Sequence, residues 1–155
     1  MLDKWSPEFN VSLDLTIEKF DAIHRRNIFH FTDVEEDGIG DDHLRLPALW
    51  LNEDNNIEVC HSINGNKYFC KNYPVELKKV YHIFIQQINE ILSISVNGEI
   101  IASATNKDSY LPKNIVVFTS NPWDLAFTSD YGSVDNFIIS SNVNIKSNLF
   151  RSASF

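Results

Sequence analysis

Residues 91–104 read ILSISVNGEIIASA, two short runs of alternating apolar and small polar side chains that meet at Asn97-Gly98. A side-chain period of two belongs to a half-buried β-strand. Asn-Gly is the pair best suited to positive backbone dihedrals at both central positions of a two-residue turn, so the stretch predicts an antiparallel hairpin. The alternation returns in FNVSLDLTI, where Phe9, Val11, Leu13, Leu15 and Ile17 share one side and Asn10, Ser12, Asp14 and Thr16 the other. Further strands are expected at 27–31, 48–51, 56–60, 80–87, 114–119 and 134–139. No long amphipathic helical repeat breaks the series, although TIEKFDAIHRR has room for a helical turn. Many short strands separated by turns bury their apolar faces by stacking two sheets or closing a barrel. The expected fold is therefore all-β, a two-sheet antiparallel β-sandwich of jelly-roll form.

A second hairpin is expected in CHSINGNKYFC, residues 60–70. If Asn64-Gly65-Asn66 is a three-residue loop, symmetric pairing sets Cys60 opposite Cys70, and a cross-strand disulfide can form provided that the pair occupies the closely spaced non-hydrogen-bonded register; the alternative is two reduced cysteines. If Asn64-Gly65 is a two-residue turn, Cys60 faces Phe69 and the cysteines are offset. The turn decides the bridge, and an oxidised pair would point to an extracellular or luminal setting.

The 155 residues suit one domain with a core of its own. Apolar residues make up 43% and charged residues 22%, which is globular rather than disordered chemistry. Thirteen basic against 21 acidic side chains leave a formal charge of −8, which repels nucleic acid and anionic lipid surfaces. There is no long apolar run, and MLDKWSPEF lacks the basic end and apolar centre of a signal peptide, so a soluble chain without membrane insertion is expected. The strand pattern fades in the last third. Residues 1–145 are taken as the sandwich domain and 146–155 as a tail or linker that joins it to a larger chain or assembly.

The succession KWSPEFNVSLDLTI, NIFHFT, RLPALWL, NNIEVCHSINGNKYFC, ILSISVNGEII, NPW and GSVDNFII resembles the laminin-G-like and concanavalin A-like β-sandwich superfamily, especially its small extracellular adhesion and matrix modules. The resemblance implies two jelly-roll sheets with ligands held by rim loops or a concave face. It implies function only by analogy, because the superfamily includes protein binders, glycan binders, structural modules and some glycosidases.

The most acidic stretch is DVEEDGIGDD, residues 33–42, with six carboxylates and two glycines. Calcium takes six to eight oxygen ligands, and Asp33, Asp37, Asp41 and Asp42 are the candidate ligands, as rim aspartates are in the calcium-binding laminin-G-like modules. An EF-hand is excluded, since a loop begun at Asp33 has Leu44 where the bidentate glutamate belongs. The alternative is a solvated polar connection. His24, His30, His43, His61 and His82 form no His-Glu-x-x-His pattern, and no Glu-x-Asp-x-x-Glu strand supplies a glycosidase carboxylate pair. The chain is accordingly expected not to be an enzyme.

Trp50 in PALWL, together with Trp123 and Asp124 in NPWD, are the candidate ligand-binding residues, because an indole face stacks on sugars as readily as it packs a sandwich edge. Asn10-Val11-Ser12 fits the N-glycosylation pattern and puts Asn10 on the polar side of the first strand. These readings converge on an extracellular or cell-surface recognition or adhesion module that binds a protein or glycan, with calcium assistance from the acidic stretch. Two alternatives stand beside it: a galectin-like carbohydrate binder, cytoplasmic or extracellular, and a structural module without a ligand of its own. The chain lacks the His-x-Asn-x-Arg strand of galectins, and HFTDV at 30–34 does not replace it.

Overall fold

The computed structural model describes residues 8–21, 23, 25–32, 45–108, 116–119, 131–141 and 152–154. Eleven strands lie among them: β1 (Phe9–Ile17), β2 (Arg26–Thr32), β3 (Ala48–Leu51), β4 (Asn56–Ile63), β5 (Asn66–Pro74), β6 (Val80–Ile88), β7 (Ile91–Val96), β8 (Glu99–Thr105), β9 (Val116–Thr119), β10 (Gly132–Ser141) and β11 (Ser152–Ser154). No helix occurs among the described residues, those of the TIEKFDAIHRR segment included. The strands form a six-stranded sheet, ordered β11-β10-β1-β6-β7-β8, and a five-stranded sheet, ordered β5-β4-β3-β2-β9. Every pairing is antiparallel. This is the two-sheet jelly-roll sandwich that the alternating pattern demands. Within the segment expected as a tail or linker, Ser152–Ser154 add the edge strand β11 beside β10.

The core fills the space between the sheets. Val11, Leu13, Leu15 and Ile17 are fully buried, and the residues between them are only partly so, which reproduces the two-residue period of β1. Phe29 and Phe31 of β2 reach across to Phe137 of β10. Their ring centroids stand 5.3 Å apart within β2, and 5.4 and 6.1 Å from Phe137. The tilted and edge-on arrangements are those that aromatic quadrupoles favour.

Asn97 and Gly98 carry φ values of 52° and 82°, so both central residues of the β7–β8 turn are left-handed, as a two-residue turn of this kind requires. A Cβ at Gly98 would meet nothing within 4 Å, so a side chain there is opposed by the backbone alone. Gly98→Val is expected to destabilise the fold by about 1–2 kcal/mol, the cost of forcing a substituted residue into that region. Urea unfolding of the variant with an unchanged midpoint would remove the turn assignment. Asn89 and Glu90 make the same turn between β6 and β7 with φ of 50° and 65°, and without glycine.

The β4–β5 hairpin follows neither simple scheme for its loop. The turn is the two-residue Asn64-Gly65, with Ile63 paired to Asn66, yet Cys60 still pairs with Cys70. A bulge reconciles the two: Lys67 and Tyr68 together oppose Ser62, which moves the rest of β5 by one residue. Cys60 and Cys70 are joined by a disulfide, with Cα atoms 4.1 Å apart. Closing so short a loop stabilises by roughly 2–3 kcal/mol.

Asn106 latches the two sheets at one end. Its Nδ2 donates to Gln87 Oε1 on β6 at 2.7 Å, and its backbone N–H donates to the Glu90 carbonyl at 2.7 Å. Its Oδ1 accepts from Asn64 N in the β4–β5 turn at 3.3 Å and from Asp108 N at 3.1 Å. Asn64 returns the contact, donating to the Thr105 carbonyl and accepting from Lys107 N. A buried amide with both ends satisfied is a net stabiliser rather than a cost.

Candidate functional site

The five-stranded sheet carries a second buried cluster on the face turned away from the core. Leu49 and Leu51 of β3 enter the main core, whereas Ala48 and Trp50 pack with Cys60 and Cys70. Cross-strand register sets these residues in two transverse rows. One runs Asn27, Trp50, Glu58 and Asn72; the other runs His30, Ala48, Cys60 and Cys70.

Two arginines close over this floor. Arg25 Cζ lies 4.9 Å from the centroid of the Trp50 ring, and its guanidinium is ion-paired to Glu58. Arg45 Cζ lies 5.5 Å from the Trp50 ring and 4.3 Å from the ring of Tyr68. His30 meets Trp50 edge-on, with centroids 5.4 Å apart and planes at 66°. Cations over aromatic faces attract the ring quadrupole, most strongly where water is excluded. Trp50, His30 and Arg45 are buried, while Tyr68 and Asn72 are exposed and Arg25 keeps 42% of its side chain in solvent. The face thus presents a guanidinium, a phenol and an amide above an aromatic floor. Such a mixture of flat apolar surface and converging donors suits a polyhydroxylated or acidic ligand.

Of the residues singled out in the sequence, Trp50 sits at the centre of this face, as its floor rather than as an open platform. Trp123 and Asp124 lie outside the described residues, as do Asp33, Asp37, Asp41 and Asp42. Asn10 is on β1, paired with Ser140 and Gln86 and partly buried on the outward face of the other sheet. Arg25, Arg45, Glu58 and Tyr68 were not singled out. Glu58 is two residues from Cys60 in a strand, so projecting the β4 alternation would have put it on the cysteine face. The two arginines lie outside the strands and give no periodic signal.

Glu58, Cys60 and Cys70 place potential ligand atoms within 4.8 Å of one another, but both sulfurs are committed to the disulfide. A metal site needs the thiolate, so this group does not fit one.

Two other polar regions bear on the chemistry. A cleft of about 340 Å³ at the Asn106 end is lined by Glu8, Gln87, Glu90, Asn106 and Asp108 among others. Near it, His61 is buried in the core, stacked on Phe9 with the planes 8° apart. Its Nδ1 is 2.7 Å from the Ser62 carbonyl, which fixes Nδ1 as the protonated nitrogen, and Nε2 is buried with no hydrogen-bond partner. Burial pushes the His61 pKa down to about 4, against weaker upward pulls from the Ser62 carbonyl and Asp108. On the outward face of the six-stranded sheet, Asp14 accepts hydrogen bonds from Asn136 and His82, at 2.8 and 2.9 Å. These two bonds, Asn136 first, hold its carboxyl below the ordinary value of 3.8.

No protein-family model matches the chain, and no curated protein matches it in sequence. Solved structures do match in fold. Trypanosoma rangeli sialidase in complex with sialic acid superposes with a TM-score of 0.62 at 17% identity, covering 85% of this chain. This chain spans only 20% of the length of that sialidase. A variant of human galectin-16 superposes with a TM-score of 0.54 at 14% identity, covering 90% of this chain and 92% of the galectin. At these identities the likeness establishes architecture alone, a two-sheet jelly-roll β-sandwich.

Proposed function

We propose that this chain is a non-enzymatic recognition module of the laminin-G-like type that binds glycans on the outer face of its five-stranded sheet. The observation that carries the reading is the assembly of Arg25, Glu58, Tyr68 and Asn72 around the Trp50 floor. The mechanism is equilibrium binding: a disulfide within the five-stranded sheet and an end latch between the two sheets hold the donors in place, which lowers the ordering cost of association. The disulfide favours an oxidising, extracellular or cell-surface setting. Calcium held by Asp33, Asp37, Asp41 or Asp42 belongs to the same proposal. The likeness in fold to a sialidase solved in complex with sialic acid supports a glycan as the ligand class.

The test is retention of the whole chain on an array of neutral and acidic glycans, in calcium and in chelator, beside Tyr68→Ala. Tyr68 is 51% exposed, so its loss should leave the fold intact. Removing a central aromatic contact should weaken retention by about tenfold or more. Retention of no glycan by the parent chain would sink the reading, and equal retention by both proteins would move the site elsewhere.

A further inference from the structure

The arginines around this sheet are not equally provided with anions. Arg26 donates through Nε and Nη2 to Asp21 Oδ2, at 3.0 and 2.6 Å, and lies over the Tyr131 ring. Arg25 is paired with Glu58. Arg45 is 7% exposed, yet no carboxylate among the described residues pairs with it. Among the described residues, the one hydrogen bond of its guanidinium runs from Nη1 to the Lys67 carbonyl at a long 3.4 Å. Its Nε is buried with no hydrogen-bond partner among the described residues.

A buried guanidinium without a counter-ion is costly, and the chain has acids to spare, 21 against 13 basic residues. The two aromatic rings compensate only in part, because an attraction to a ring face leaves the N–H donors unused. Four of the five guanidinium N–H groups are open among the described residues, and two of these are Nε–H and its neighbouring Nη2–H. They form one edge of the guanidinium, the two-pronged edge that matches the two oxygens of a carboxylate. Tyr68 lies over this guanidinium at 4.3 Å and is itself half exposed on the β5 bulge. It is therefore placed to stack on a ring whose acid group reaches Arg45.

We infer that Arg45 is the anion-reading group of the site, and that the ligand is a carboxylate-bearing sugar gripped bidentately by Nε and Nη2 while its ring lies against Tyr68. The inference rests on the glycan-binding reading and narrows it to one chemical class. A tetrahedral sulfate presents the same charge with a poorer match to the planar fork, so sulfated sugars should bind more weakly than carboxylated ones.

The experiment compares the whole parent chain with Arg45→Gln on neutral lactose, sialyllactose, the methyl ester of sialyllactose, a uronate-containing tetrasaccharide and sulfated lactose. The parent is expected to hold at least one carboxylated sugar more tightly than lactose, by about tenfold or more, as a charge-assisted bidentate pair supplies. The methyl ester should lose that margin when the carboxylated partner is sialyllactose, without any change to the protein, so the result stands even if Arg45→Gln is poorly folded. Arg45→Gln, where thermal unfolding shows it intact, should bind acidic and neutral sugars alike. Equal binding of neutral and carboxylated sugars by the parent overturns the inference and leaves the glycan reading in place. An undiminished acid preference in Arg45→Gln, or a preference for sulfate, also overturns it. Binding of no sugar by the parent removes both.

Discussion

Phe29→Ala is expected to cost the fold about 3–5 kcal/mol, which for a domain of ordinary stability is a third or more of the total. Phe29 is 1% exposed and touches Phe31 on its own strand and Phe137 on the opposite sheet, so truncation opens a cavity at the junction between layers. Neighbouring strands cannot collapse to fill it, because Phe29 is held in register by Leu49 on one side and Thr119 on the other. The comparison variant is Phe84→Ala, whose ring belongs to the outward face of the six-stranded sheet and keeps one side in water. It should cost less than about 2 kcal/mol, since less apolar surface is withdrawn from solvent there. Urea unfolding measures both. Equal losses would mean that the faces of the two sheets have been assigned wrongly.

The second large effect is with pH. His61 titrates near 6.5 in the unfolded chain and near 4 when folded. Between those values the unfolded state holds a proton that the folded state does not, so stability is full above about pH 6.5 and falls as the pH drops toward 4. The loss across that window should be about 3 kcal/mol. Asp14 acts in a lower window. Its carboxyl is held below 3.8, so its contribution persists above that value and is lost as the pH falls through the depressed one. His61→Phe keeps a ring against Phe9 and removes the proton acceptor, so its stability should be nearly flat from pH 7 to pH 4.5. Denaturant midpoints at pH 7, 5.5 and 4.5 decide the matter. The same acid slope in both proteins would place the titrating group elsewhere.

Much of the architecture was legible because one rule governs it. In β1 every second residue enters the core, and sequence alternation maps directly onto burial. β3 is different, since all four of its residues are buried. Period two identifies which side chains share a face, but it cannot say that the second face of ALWL is covered too. That depends on arginines brought in from outside the strands. The disulfide depended on register, which is a property of two strands and a turn together. Cys60 and Cys70 did meet, although by a two-residue turn followed by a bulge. An extra residue in β5 leaves no mark on the alternation of either strand taken alone. The buried pair Asp21 and Arg26 was invisible for a related reason: charge patterning places such residues at the surface unless the partner is known. The acidic stretch at 33–42 and the NPWD stretch fall outside the described residues, so the binding face now rests on strand residues such as Trp50 and Glu58 together with two arginines that have no periodic signal.

β5 stands at the margin of its sheet, and a margin strand offers unpaired backbone to any other copy of the chain. In many β-proteins the outermost strand detaches and is traded between molecules, seeding dimers or fibrils. Here the Cys60–Cys70 bond keeps β5 tied to β4 even when its hydrogen bonds open, and the bulge at Lys67–Tyr68 twists the exposed rim out of line. The same cross-link that lies beneath the binding face therefore opposes strand exchange between copies, a protection that a reducing environment would remove.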